Sequence, residues 1–389
     1  MQKKLKKILA LLYYFILVLN IYAEEKEISK LPLVLHAFID SYYSKNGNNS
    51  GAKDRNYTTQ AIRNNEFAIN LAHIGISIEQ EKFRGKLLFQ YGTSVVTNYS
   101  GEPRDTGASS PSVTQASVRN IQEGYAGYRL TRNTWWDTGI FFSHVGFESW
   151  ISHKNWNYTR SYSLDHVPYY VSGTRFVTEF SDKFSTQILL VTGWQLISDN
   201  NKDKSLGIQL SYKFNSVWKI HSNHWFGNEV PSNERKQNRY YHNLILEGGI
   251  TEKILLGITF DAGMQNTEYD YLYTPIIEEG YRKVPGKAYR HWYDGAFYAK
   301  FIINNEWSLG CKLERYYDPT EVMIQTNAKK GFAVTTGSLT LNYKPEDYLM
   351  VRLEGRMNHS TDQKIFRYDK TDYAKDEMLL IGNVSFFYN

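Results

Sequence analysis

Successive side chains of a β-strand point to opposite faces, so a strand lying between lipid and water alternates apolar and polar residues with a period of two. Several stretches of this chain do so almost without error. Leu206, Ile208, Leu210, Tyr212 and Phe214 share one face, and Ser205, Gly207, Gln209, Ser211 and Lys213 the other. Ile254, Leu256, Ile258, Phe260, Ala262 and Met264 oppose Lys253, Thr259, Asp261 and Gln265. Near the C-terminus Met378, Leu380, Gly382, Val384, Phe386 and Tyr388 oppose Glu377, Asn383 and Ser385. Sixteen such segments are counted, near 33–43, 66–79, 83–93, 119–130, 134–145, 167–180, 183–194, 205–214, 217–226, 239–250, 253–265, 291–303, 306–317, 332–344, 348–358 and 376–388. The second and sixth alternate poorly, which leaves room for a bulge in each and for a count of 14 or 18. No helical segment and no second domain is expected.

The connections alternate long and short. Glu79–Lys82, Thr131–Asn133, Ser181–Asp182, Asn215–Ser216, Thr251–Glu252, Asn304–Asn305 and Pro345–Asp347 are tight. Between them run long segments such as 44–65, 94–118, 146–166 and 266–290. A soluble sandwich has no reason to sort its loops in this way. A transmembrane barrel does, with short turns on the periplasmic side and long loops outside. Aromatic residues flank six of the seven tight turns: Phe83, Tyr128 with Trp135, Phe180 with Phe184, Phe214 with Trp218, Phe301 with Trp307, and Tyr343 with Tyr348. Rings with a polar tip prefer the headgroup level, so these predict an interfacial girdle. Because an unpaired backbone group in hydrocarbon costs several kcal/mol, the sheet must close, with the strand at 33–43 pairing with that at 378–388.

Composition agrees. The 389 residues include 31 Tyr, 20 Phe and 9 Trp, and 22% are charged. A mean hydropathy of −0.50 argues against a multi-helix membrane protein. One cysteine, Cys311, excludes a disulfide framework and multi-cysteine metal sites; its phase places it on the outward face as a small apolar residue. Lys3, Lys4, Lys6 and Lys7 followed by the apolar run Ile8 to Leu19 read as an export signal over 1–23, cleaved after Ala23, leaving 24–389 as a single barrel domain. Without those four lysines 41 Lys and Arg face 40 Asp and Glu, so the formal +5 does not imply nucleic-acid binding.

The run Ile140 to Glu148 (IFFSHVGFE), Asn155 to Arg160 (NWNYTR), Pro168 to Gly173 (PYYVSG), Thr192 to Gln195, the Gly227–Glu229 corner and Glu314 to Pro319 (ERYYDP) together resemble the bacterial β-barrel porin-2 family of OmpL-like outer-membrane proteins. The resemblance covers nearly all of the chain after the signal. It implies an outer-membrane barrel and supplies no assigned functional residues.

Sixteen strands enclose more space than strand side chains fill, so a water channel for small hydrophilic solutes is expected unless loops close it. The predicted lumen face carries Arg84, Lys86, Arg129, Arg175, Lys300, Arg352 and Arg356, and Glu123, Asp137, Glu179, Glu247, Asp261, Asp294, Glu314 and Glu354. Such charges either set ion preference or form a self-neutralising network that holds the wall. Arg352, Glu354 and Arg356 are the densest group. The loop 146–166, with Glu148, Trp150, Trp156, Tyr158 and Arg160, is the candidate constriction; the alternative is an ordinary external loop. No catalytic motif and no cofactor signature occurs. Asp165-His166 could mimic a hydrolytic pair, and His144, His153 and His166 a metal site, but neither has supporting residues around it. The partners expected are outer-membrane lipids, small solutes and, by analogy with trimeric porins, further copies of the chain. The rival reading is a surface receptor or adhesin with a closed barrel.

Overall fold

A computed structural model describes residues 32–48, 54–102, 118–266, 269–274, 280–285, 289–326, 330–361, 363–367 and 372–389. The export signal expected over 1–23 lies outside them. The strands in chain order are β1 (Leu33–Asn46), β2 (Phe67–Glu79), β3 (Phe83–Tyr91), β4 (Ile121–Thr131), β5 (Thr134–Phe142), β6 (Tyr170–Glu179), β7 (Phe184–Val191), β8 (Ser205–Lys213), β9 (Lys219–Asn228), β10 (Asn238–Thr251), β11 (Ile254–Asn266), β12 (Tyr269–Thr274), β13 (Gly280–Pro285), β14 (Tyr289–Ile302), β15 (Trp307–Asp318), β16 (Phe332–Glu346), β17 (Leu349–Ser360), β18 (Phe366–Arg367), β19 (Tyr373–Ala374) and β20 (Asp376–Tyr388). Sixteen of them form one closed antiparallel barrel in the order β1 to β11, β14 to β17, β20. β12–β13 and β18–β19 are small separate hairpins within long loops.

Closure is made by β1 on β20, in register from Ala37 opposite Tyr388 to Asn46 opposite Leu379. This satisfies the backbone of what would otherwise be two free edges in lipid. The alternation read from sequence appears as inside and outside. On β17, Leu353 is 52% exposed while Glu354 beside it is fully buried. Cys311 sits outward, cross-strand from Leu339 and Ala299.

The structure departs from the sequence reading in four places. Register shifts fall at Leu88/Phe89, Arg129/Thr131, Gly249/Thr251 and Tyr343/Glu346, not in the recorded pairs of β2 or β6. β5 stops at Phe142, because residues 143–145 leave the wall for the lumen. Among the described residues there are two short α-helices, α1 (Thr93–Asn98) and α2 (Tyr162–Asp165), and one 3-10 turn (Ser152–Lys154), all in loop segments that pack inside the barrel. Trp135 is not part of the outer girdle. It is 8% exposed and lies beneath Arg84 and Arg129, each 4.5 Å from its ring, while Trp136 takes the outward position. The rest of the girdle holds aromatic contacts at the short-turn end, such as Trp307 on Tyr343 (4.3 Å) and Tyr348 near Tyr388 (5.6 Å).

Candidate functional site

The loop between β5 and β6 runs through the lumen. Its attachment points lie on β15, β16 and β17, six to eight places round the ring from where it leaves the wall. Its path is set by lumen positions without side chains. The His144 ring occupies the space over Gly207, where a Cβ would come within 2.5 Å of it. Phe147 covers Gly257 in the same way (2.7 Å) and packs on Tyr298 with ring centroids 4.6 Å apart. At Gly310 any Cβ would run into the carbonyl oxygen of Trp156. A wall of ordinary alternating side chains would exclude the loop from this track.

Wall side chains then bind the main chain of the loop. The Glu354 carboxylate accepts from the backbone N–H of Tyr158 (2.6 Å) and Thr159 (3.2 Å), from the Thr159 hydroxyl, and from Thr340 Oγ1 on β16 (2.6 Å). Glu314 accepts from the N–H of Tyr162 (2.5 Å) and Ser163 (3.2 Å). Arg352 donates to the Ser152 carbonyl (2.9 Å) and hydroxyl (3.2 Å), and Arg356 to the Arg160 carbonyl (2.5 Å). Lys312 donates to the Thr159 carbonyl (2.6 Å) and is paired with Glu148 (3.0 Å). Asn157 reaches the Gly310 carbonyl (3.1 Å) and Thr340 Oγ1 (2.8 Å). Apart from the two made by Asn157, these are charge-assisted bonds, the strong class of hydrogen bond. Glu314, Lys312, Arg352, Glu354 and Arg356 complete their bonding on the loop, so removing it would leave several of these buried charges under-compensated.

The loop also holds its own shape. Asp165, at the end of α2, accepts from Arg160 (3.0 Å), Tyr169 (2.7 Å), and Thr58 and Thr59 of the first long loop (2.8 and 2.9 Å). Burial alone would raise the Asp165 carboxyl; the Arg160 guanidinium and these hydrogen bonds outweigh it and hold the group well below the ordinary carboxylate range. Ser161 caps α2 by accepting from the Leu164 N–H (3.1 Å). Trp150 donates to Ser94 on α1 (2.9 Å) and packs among Tyr99, Tyr169 and Tyr170. Loop and wall aromatics thus form a core inside the long-loop half of the barrel.

The five residues predicted for the constriction, Glu148, Trp150, Trp156, Tyr158 and Arg160, all lie inside the barrel. The predicted charges fall into two sets. Arg352, Glu354, Arg356 and Glu314 hold the loop rather than one another, beside Asp261 and Asp294, which face each other across β11 and β14. Arg84 and Arg175 bracket Asp137 (2.7 and 2.8 Å), Lys86 pairs with Glu123 (2.6 Å), and Arg129 lies on Trp135. Glu247 pairs with Lys219 (2.8 Å), and Glu179 is exposed at the end of β6. Sequence reasoning missed Lys312, Asn157 and Ser152. Lys312 is in phase with Glu314 and could have been found; the other two bond through geometry that no pattern carries. Asp165 and His166 are directed apart, the latter toward the Tyr162 carbonyl (2.8 Å). His144, His153 and His166 go to three different places: the His224 carbonyl, the Phe387 ring and Tyr162.

A closed sixteen-strand barrel with an inward-folded loop after its fifth strand defines a porin-type outer-membrane protein. A family model described as "Putative beta-barrel porin-2, OmpL-like" matches residues 32–387, and the chain belongs to that family. Among solved structures it is similar to the anion-selective porin from Comamonas acidovorans (TM-score 0.57, 6% identity, 92% of this chain and 99% of that one). It is also similar to the outer membrane channel DcaP of Acinetobacter baumannii (0.56, 9%, 93% and 99%) and to OmpT of Vibrio cholerae (0.55, 10%, 92% and 97%). At these identities the likeness concerns the fold. No curated protein matches the sequence.

Proposed function

We propose that this protein is an outer-membrane channel for passive diffusion of small hydrophilic solutes, its aperture set by the loop 143–169. The observation that carries the reading is the loop's attachment to the far wall through Glu314, Lys312, Arg352, Glu354 and Arg356. The barrel supplies a lumen wider than its wall side chains can fill, and the loop narrows it. Export through a cleaved signal over 1–23 and assembly with further copies belong to the same reading; a trimer form is recorded for the Vibrio cholerae OmpT. Catalysis has no part in it.

A second reading is a closed surface receptor. The aromatic core of Trp150, Tyr99, Tyr169 and Tyr170 favours it, since it fills much of the long-loop half of the lumen. Conductance of the purified protein in a planar bilayer separates the two. The channel reading expects stepwise openings whose size rises when residues 147–163 are replaced by a short Gly-Ser link. A folded barrel that stays silent in both forms overturns it in favour of the receptor.

A further inference from the structure

Beneath the docked loop, toward the short-turn end, the lumen contains water-accessible charge. Lys86 and Arg84 keep 22% and 15% of their side-chain surface, and Lys154, on the underside of the loop, is exposed although it sits within the barrel. The loop reaches this level because the His153 ring stacks flat on Phe387 at the end of β20 (4.1 Å, 2°). Lys344, near the β16–β17 turn, lies 6.0 Å from the same Phe387 ring, and Arg352 contacts Ser152 next to His153. Lys300 stands two residues from the end of β14, with Arg352 and Lys344 as the charges acting on it. Lys86 and Glu123 are the charges acting on Lys154. The chamber floor is therefore lined by Lys86, Lys154, Lys300 and Lys344, with Arg352 buried behind them on Ser152 and Asn383.

The counter-charges are fewer. Glu123 answers Lys86, and Lys344 is paired at 3.2 Å with Asp347, a turn residue 89% exposed. The buried Asp40 acts on Arg352 and is itself taken up by Asn70, Tyr158 and Asn383. Among the described residues neither Lys154 nor Lys300 has a carboxylate at ion-pair distance, and Glu123, already bonded to Lys86, is the acidic charge acting on Lys154. In the adjacent triad Asp137 is shared by Arg84 and Arg175, and Glu79, cross-strand from Arg84, is the further acidic charge acting there. The acidic members of the lumen, Glu148, Asp261, Asp294 and Glu314, lie above, buried against the loop. Charge of one sign in a cleft with low-dielectric walls focuses the field and raises the local concentration of counter-ions. Lysine and arginine donors suit oxyanions.

We infer that the periplasm-facing chamber is a binding site for small oxyanions, carboxylates and phosphates, and makes the channel anion-preferring. The inference rests on the channel reading given above. Its test is the reversal potential of the wild-type protein in a KCl gradient across a planar bilayer, with inorganic phosphate then added on the short-turn side. The expected result is preference for chloride over potassium, a chloride current reduced by phosphate, and a permeability ratio that moves toward unity by roughly threefold or more in Lys154→Gln/Lys300→Gln. Lys236→Gln, in an exposed loop where Lys236 pairs with Asp203, should leave the ratio unchanged. A conducting barrel with no anion preference, or a ratio untouched by the double substitution, overturns this inference alone. A folded wild-type barrel that carries no current overturns the channel reading and this one with it.

Discussion

At the scale of residues, Glu354 and Gly310 offer direct tests of the loop's dock. Glu354 is fully buried and accepts from two loop amides, a loop hydroxyl and Thr340. Glu354→Ala leaves those donors unpaired; the cost is roughly 3 kcal/mol, and the expected outcome is a lower denaturation midpoint in detergent together with cleavage of the loop by added protease. Gly310→Val places a side chain where the Trp156 carbonyl sits, and should free the loop and raise conductance. Gly295→Val is the matching control, since nothing lies within 4 Å of a Cβ built there, and should change neither property. The sign of the acid response follows from Asp165. Its carboxyl is depressed, so its contribution is present above the ordinary carboxylate range and is lost only as pH falls through the lower, folded-state value. The difference in loop protease resistance between the wild type and Asp165→Asn should therefore persist at pH 4 and vanish only in stronger acid; loss of that difference near pH 5 would contradict this assignment.

At the scale of elements, the strands were legible and the loop's course was not. Alternation in β8, β11, β17 and β20 reports burial on one face directly, because a period of two has one inside and one outside. The pairing of β1 with β20 followed from the cost of a free edge in lipid. Loop 143–169 carries no such period. Its aromatics are compatible with a surface loop or an inward one, and what decides the matter lies elsewhere in the chain, in Gly207, Gly257 and Gly310 and in the lumen charges of β15 and β17. Those glycines are distant in sequence and each is unremarkable alone. Trp135 and Trp136 show the same limit at short range, since adjacent tryptophans beside a turn do not announce which one faces lipid. The Arg352, Glu354, Arg356 group was visible as a cluster, but its partners on the loop could not be read from spacing.

At the scale of the whole molecule, the barrel is divided by its loop into two unlike halves. The long-loop half is narrowed by aromatic packing and by charges that are matched or bonded to main chain. The short-turn half leaves Arg84, Lys86 and Lys154 partly open to solvent. Closure of the sheet makes this division stable, since wall positions far apart in sequence are fixed relative to one another and can grip one loop from opposite sides. The claim on which this rests is that the loop lies inside the barrel, bonded to its wall. Hydrogen exchange of the purified protein in detergent micelles, followed by mass spectrometry, tests it without reference to conductance. The amides of Tyr158, Thr159, Tyr162 and Ser163 should be protected to the degree of the barrel strands; exchange as fast as that of a free peptide would contradict the account.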